Sequence, residues 1–259
     1  MAKTSHTTRI AIVIPCYNYA DYLSEALESV LAQLPRVGVR IECVVIDDGS
    51  TDDSRKEAEK FKSRGVRYHY RKNGGLSAAR NTGLEQTKSD YVCFLDADDK
   101  LEPTFVNTCL DALKAEPKSI GYVYTQMQYF GDDKRVTQAP DFDEAKIKRM
   151  NYIHASAFFR RECFDLVSYD ERLRSGFEDW DLYLTLAERG ITGRLVDQPL
   201  LAYRKHTTTQ KSMSDQFASE LKGNRLQLRI QLKHWRFVSL RAVAHTLLRV
   251  VRLQFGVQR

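Results

Sequence analysis

Val92-Cys93-Phe94-Leu95-Asp96-Ala97-Asp98-Asp99 passes from an uninterrupted apolar run to three carboxylates within four residues. A short apolar run stopped by acids reads as a buried strand, here 91–95, ending at a polar edge. The same pattern repeats outward from it. Ile10–Ile14 is stopped by Pro15 and followed by Cys16-Tyr17-Asn18. Ile41–Ile46 is stopped by Asp47-Asp48-Gly49-Ser50, and Val66–Tyr70 supplies a further strand. Between the strands, Tyr22, Leu23, Ala26, Leu27, Val30 and Leu31 recur at helical spacing across 21–33. Asp52–Phe61 reads as a second helix, and Gly74-Gly75 opens a third that Ser77 is placed to cap and that runs to about Gln86. Strands and helices alternating about every 25 residues predict an α/β fold with a mostly parallel, Rossmann-like sheet flanked by helices. In such sheets the ligand lies beyond the carboxyl ends of the strands, where all three polar clusters fall.

The second half is less regular. The spacing predicts a helix over 105–113, strands over 121–130 and 153–159, and a polar variable loop over 131–150. A helix follows over 178–189, ended by Gly190, then short strands at 194–196 and 200–203. The 259 residues are 42% hydrophobic and 29% charged, enough to bury a core without covalent staples. Five cysteines include no CxxC pair, and Cys16, Cys43 and Cys93 sit in apolar stretches. They read as reduced, buried thiols of a cytoplasmic protein. No run of eighteen apolar residues is present, and Ile10–Pro15 is too short for a signal peptide.

Charge is unevenly placed. Residues 211–259 carry a net +8 and the remainder −2. The divisions expected are a catalytic domain over 1–209, with a nucleotide-binding half at about 9–100 and an acceptor-binding half at 101–209, and a basic amphipathic helical tail over 210–259. From Leu240, Val243, Ala244, Leu247, Leu248, Val251 and Phe255 fall on one helical face, bordered by Arg241, His245, Arg249 and Arg252. That pattern suits an anionic membrane surface, or packing on the body or a second copy. Trp235 and Phe237 stand among the cations, but no nucleic-acid fold accompanies them.

Asp96 and Asp98, one residue apart at a strand end, form a hard-oxygen pair suited to Mg²⁺ or Mn²⁺ shared with substrate phosphates. The run Gly74-Gly75-Leu76-Ser77-Ala78-Ala79-Arg80-Asn81 adds a glycine turn and an arginine at a helix start, elements that hold a diphosphate.

These segments together resemble the inverting family 2 glycosyltransferases of the GT-A fold. The likeness runs through Val13–Asn18, Val45–Asp52, Gly75–Gly83, Phe94–Asp99, Phe177-Glu178-Asp179-Trp180-Asp181 and Tyr203-Arg204-Lys205-His206, and covers roughly residues 9–210. The resemblance implies a nucleoside pocket lined by Pro15 and Tyr17, with Asp48 reading the base and Arg80 contacting the nucleotide. It implies Asp96 toward the ribose or sugar, Glu178 on the donor side, and Asp98 and His206 on the metal; the role of Asp99 stays open. It makes Asp179 the general base of a single displacement at the anomeric carbon. Trp180 reads as core packing and Asp181 as a structural hydrogen-bonder.

The expected activity is metal-dependent transfer of a hexosyl or N-acetylhexosaminyl group from a nucleotide sugar, a UDP-sugar first, to a glycan or lipid-linked glycan. The expected setting is cell-surface polysaccharide synthesis in the cytoplasm or at the inner membrane face. Gln231-Leu232-Lys233-His234-Trp235 has His234 where the QxxRW motif of processive synthases has arginine, so a non-processive enzyme is expected. A nucleotidyltransferase would need a glycine-rich basic loop after the first strand, and Cys16–Asp21 has neither glycine nor lysine. A sugar-nucleotide-binding scaffold would not need the carboxylates, Arg80 and His206 together.

Overall fold

The structure, a computed structural model, describes residues 7–131, 133–174, 176–205 and 220–255. Its strands are β1 (Thr8–Cys16), β2 (Val39–Asp47), β3 (Arg67–Tyr70), β4 (Tyr91–Phe94), β5 (Lys100–Leu101), β6 (Ile120–Gly131), β7 (Phe158–Arg160) and β8 (Thr192–Lys205). The helices are α1 (Ala20–Leu31), α2 (Ser54–Glu59), α3 (Leu76–Glu85), α4 (Phe105–Ala115), α5 (Glu144–Ile147), α6 (Glu178–Ala187), α7 (Glu220–Lys233) and α8 (Leu240–Phe255). All eight strands form one sheet in the order β3-β2-β1-β4-β7-β6-β8-β5. The β3-β2-β1-β4 half is parallel throughout. Beyond it β7 runs antiparallel to β4 and β6, while β6 and β8 are parallel.

The continuous apolar runs follow from a sheet covered on both faces. Successive side chains alternate sides. Ile10, Ile12 and Ile14 therefore join one core layer with Leu23 and Leu27 of α1 and Phe105 and Leu110 of α4. Ala11 and Val13 join the other, with Ala79 of α3 and Trp180, Tyr183 and Leu184 of α6. Helix α3 lies flat on β1 because residue 83 is glycine: a Cβ there would stand 2.2 Å from Cγ1 of Val13. β1 and β2 end side by side at Cys16 and Asp47, and parallel β4 ends at Phe94 opposite Val13, which gathers the polar clusters at one edge.

Three sequence expectations change. The strand expected over 153–159 forms only from Phe158; Ile153 and Ala157 are buried without joining the ladder. The two strands expected at 194–196 and 200–203 are one strand, with a register shift opposite Thr125 and Gln126 that accommodates Pro199, as bulges do. Helix α3 begins at Leu76 with Gly75 (φ 95°) at its cap, and the Ser77 hydroxyl is buried in the first turn with no bond.

Helices α7 and α8 pack on each other, and α7 docks on α6. His234, at the end of α7, places Nε2 2.9 Å from Oδ1 of Asp181 and Nδ1 2.8 Å from Oε1 of Glu188. Lys233 donates to Asp181 (2.7 Å) and Asp170 (2.9 Å). Burial alone would lower the imidazole pKa, but the bonds to Asp181 and Glu188 outweigh it and raise the value above the ordinary one. The folded chain therefore binds this proton more tightly than the unfolded chain. The stabilisation is full below about pH 6.5, the unfolded value, and disappears as pH rises through the folded value. Urea denaturation across pH 5–9, about the range histidine titrates over, should show wild type losing stability relative to His234→Gln as pH rises. A pH-independent difference would refute the protonated clamp.

Candidate active site

Asp48 follows β2 and turns inward. Its carboxylate accepts the backbone N–H of Gly74 (3.0 Å) and Gly75 (2.7 Å) and an Arg71 guanidinium N–H. Asn73 donates to its carbonyl at 2.8 Å. The chain thus supplies its own anion to the glycine turn at the start of α3, where unpaired N–H groups attract negative charge. That changes the reading of this turn as a diphosphate cradle, because Asp48 already takes both glycine N–H groups. Neighbouring Asp47 is structural, accepting from Tyr68 Oη (2.5 Å) and Ser50 N–H (2.7 Å).

Pro15 is buried in β1, past the residues that pair with β4, where its missing N–H leaves no ladder bond unmade. Tyr17 is 48% exposed at the same edge. Asn18 adopts φ 57°, and its side chain accepts the Thr51 N–H at 2.7 Å, which pins the β1 end to the loop after β2.

Arg80 projects from α3 into the interior and is 1% exposed. Its Nη1 bonds Glu178 at 2.8 Å, its Nη2 bonds Asp96 at 3.0 Å, and the guanidinium lies 5.2 Å from the Tyr169 ring centre. Burial disfavours the charge, but Asp96 and the other anionic neighbours prevail and hold it on. Arg80 therefore joins the Asp96-x-Asp98 turn to the start of α6, two segments 82 positions apart in sequence, and its fork is already engaged by carboxylates.

Phe177, before α6, adopts φ 65°. A bulky residue in that region is strained. Among the described residues Phe177 and Asn18 are the non-glycines with positive φ, and both flank this site. The strained turn delivers Glu178 to Arg80 and sets Asp179 beside it in the first turn of α6. Asp179 accepts the Trp180 N–H (2.7 Å) and the Asn151 side-chain N–H (2.9 Å). Burial first, then the Glu178 charge, push its pKa up to about 7, with Arg80 opposing. A carboxyl whose pKa lies near neutrality suits acid–base work. Trp180 is fully buried and donates to the Ile147 carbonyl at 2.6 Å.

Asp96 and Asp98 are both partly exposed after β4. Asp99 is buried and accepts the Arg204 N–H at 2.9 Å; burial, then Asp98 and Asp96, raise its pKa well above the carboxylate range. Arg204 Nε bonds the Asp98 carbonyl at 3.0 Å. The end of β8 is thereby fixed against the acidic turn. His206 lies outside the described residues. Among the described residues no group of three or more His, Cys, Asp or Glu side chains could hold a metal. The donor set nonetheless fits Mg²⁺ or Mn²⁺, which take one or two carboxylates and complete their shell with phosphates and water. Sequence reasoning missed Asn151, Tyr169 and Tyr19. The Tyr19 phenol is held protonated by burial and by the charges of Asp98 and Asp96.

The sequence pattern described as glycosyl transferase family 2 matches residues 11–169. The chain belongs to that family. The chain is 30% identical over 198 residues to hyaluronan synthase of Pasteurella multocida, covering 73% of this chain and 20% of the relative. It is 41% identical over 102 residues to glycosyltransferase GlyA of Streptococcus pneumoniae, covering 39% and 14%. EpsJ of Bacillus subtilis, an uncharacterized glycosyltransferase, is 26% identical over 216 residues, covering 76% and 61%. The chain thus spans less than two thirds of each relative's length. Among solved structures, S. aureus TarS 1–349 in complex with UDP-GlcNAc shares its fold at a TM-score of 0.68 and 20% identity, covering 97% of this chain and 74% of that one. The mannosyltransferase PcManGT of Pyrobaculum calidifontis, in complex with GDP-Man and Mn²⁺, gives a TM-score of 0.63 at 23% identity, covering 88% and 64%. The glycosyltransferase fold is therefore GT-A, and no described helix is long and apolar enough to cross a membrane.

Proposed function

We propose that the chain is an inverting, non-processive, metal-dependent glycosyltransferase that moves a sugar from a UDP-sugar to a hydroxyl of a glycan or lipid-linked glycan. We place it in the cytoplasm at the inner membrane face, in cell-surface polysaccharide synthesis. The observation that carries the chemistry is Asp179, a half-buried carboxylate at the start of α6 whose pKa is pushed up to about 7, tied through Glu178 and Arg80 to Asp96. The acceptor oxygen attacks the anomeric carbon as the bond to the diphosphate breaks, and its proton passes to Asp179. A base with a pKa near the working pH combines availability with driving force. Attack opposite the leaving group inverts the anomeric centre.

Pro15 and Tyr17 form the nucleoside edge, where the exposed phenol ring offers a face to a base. Asp48 orders the loop through Gly75 and presents the remaining acceptor capacity of its carboxylate. Asp98, with Asp96 and His206, would hold Mn²⁺ or Mg²⁺. When bound, the ion would stabilise negative charge on the leaving diphosphate. Arg80 fixes the acidic turn relative to the base, and fixed geometry is itself a large part of catalysis.

Calorimetric titration with UDP-, GDP- and dTDP-sugars, with and without Mn²⁺, tests this. Metal-dependent binding of a UDP-sugar is expected. Asp98→Asn should weaken it by at least the ~10–100-fold that losing a partner of a metal ligand costs. Metal-independent binding, or binding indifferent to Asp98→Asn, would remove the metal role. Binding without transfer to any acceptor would favour a scaffold.

A further inference from the structure

Helix α8 presents three longitudinal strips. Residues 100° apart on a helical wheel place Val243, Thr246 and Val250 on one strip, and these are the buried ones, against α7. Leu240, Leu247, Leu248 and Val251 form a second strip that faces outward, 70%, 48%, 56% and 42% exposed. Arg241, His245, Arg249 and Arg252 form a third, also exposed, directly beside the second. The helix contains no Asp or Glu. The single apolar face expected from sequence is therefore divided. Val243 goes to the core, while the leucines remain outside although a packing partner is already in place.

We infer that this outward face seats on an anionic lipid bilayer, with the leucine strip in the acyl boundary and the arginine strip among the headgroups. Four large apolar side chains exposed side by side along one helical strip form the kind of contiguous patch that marks an interaction surface. A bordering row of cations with no acid complements a surface of fixed negative charge. A second copy would bring the same cations against themselves, and isologous contact would set like charges face to face. Nucleic acid would use the arginines but leave the leucines without a role. The inference names the surface behind the membrane placement proposed above. It does not depend on the transfer chemistry.

Flotation with vesicles tests it. The full chain should float with phosphatidylcholine–phosphatidylglycerol vesicles, not with phosphatidylcholine alone, and high salt should weaken the association. Replacing Arg241, Arg249 and Arg252 by glutamine should cost on the order of 100-fold in affinity. The exposed double substitution Leu247→Ser with Leu248→Ser should also abolish flotation, while circular dichroism and melting stay unchanged. Absence of flotation by the folded wild type would overturn the proposal. So would flotation that survives the leucine substitutions, or a dimer that those substitutions dissolve. UDP-sugar titration of the same variants keeps the two readings separate: donor binding should be unaffected by either set, whatever the vesicles show.

Discussion

Asp179→Asn is expected to slow glycosyl transfer by about 10²–10⁴-fold, the range for loss of a positioned general base, with donor affinity unchanged. The substitution preserves volume and places an amide where the carboxylate stood. Its oxygen can still accept the Trp180 N–H. Its NH₂ then meets the Asn151 side-chain NH₂, because Asn151 Oδ1 already accepts the Ile153 N–H at 3.3 Å. A small fall in melting temperature accompanies the loss of rate, and it does not scale with that loss. In wild type the transfer rate should rise with pH through about 7, the value set by burial and by Glu178 against Arg80, because only the ionised form accepts the proton. Stopped assays of both proteins over that range, with product anomer read by NMR, check the argument. Unchanged transfer by Asp179→Asn, or a retained anomeric configuration, would sink the mechanism while leaving the family intact.

Arg80→Met is expected to destabilise the protein by about 3–5 kcal/mol, because it removes one partner of a buried charge pair and leaves the other without compensation. That corresponds to roughly 6–20 °C in Tm for a chain of this size. Most of the cost falls on Glu178, whose side chain is 6% exposed, rather than on Asp96 at 34%. Adding Glu178→Gln should therefore recover part of the loss, a coupling that a double-mutant cycle measures directly. Arg80→Lys should recover less, since one ammonium cannot reproduce a fork that spans two carboxylates. If Arg80→Met melts like wild type, the guanidinium does not hold the acidic turn to α6.

The first half of the fold was readable because each inner strand is an apolar run closed by turn residues. A sheet buried on both faces leaves a signal that needs no alternation. The second half was harder, for reasons visible in particular residues. Ile153 and Ala157 have strand composition but pack as irregular chain. Pro199 reads as a break and is tolerated at a bulge. Helix α7 is polar, with Gly223 and Asn224 inside it; besides Ile230 and Leu228 against the core, it is held to α6 by the bonds of Lys233 and His234 to Asp181. No periodicity in apolar residues could announce that. At the site, the motif types were legible and their connections were not. The sequence places Arg80 toward a nucleotide, whereas its Nη1 and Nη2 bond Glu178 and Asp96. Residues 16 and 98 positions away from it close that network, and nothing local encodes such a distance.

Asp181 and Glu188, held by Lys233 and His234, have a further consequence for how the chain can be divided. The match to the family pattern ends at residue 169, before α6 begins. One core layer, however, combines Ala11, Val13 and Val44 with Trp180, Tyr183, Ile230 and Val238. A boundary drawn where that match stops would pass through the layer, and one drawn before α7 would strip Lys233 and His234 from Asp181. A family pattern and a cooperative core thus mark out different lengths of the same chain: the stretch the pattern matches is shorter than the segment that can keep water out of its own interior.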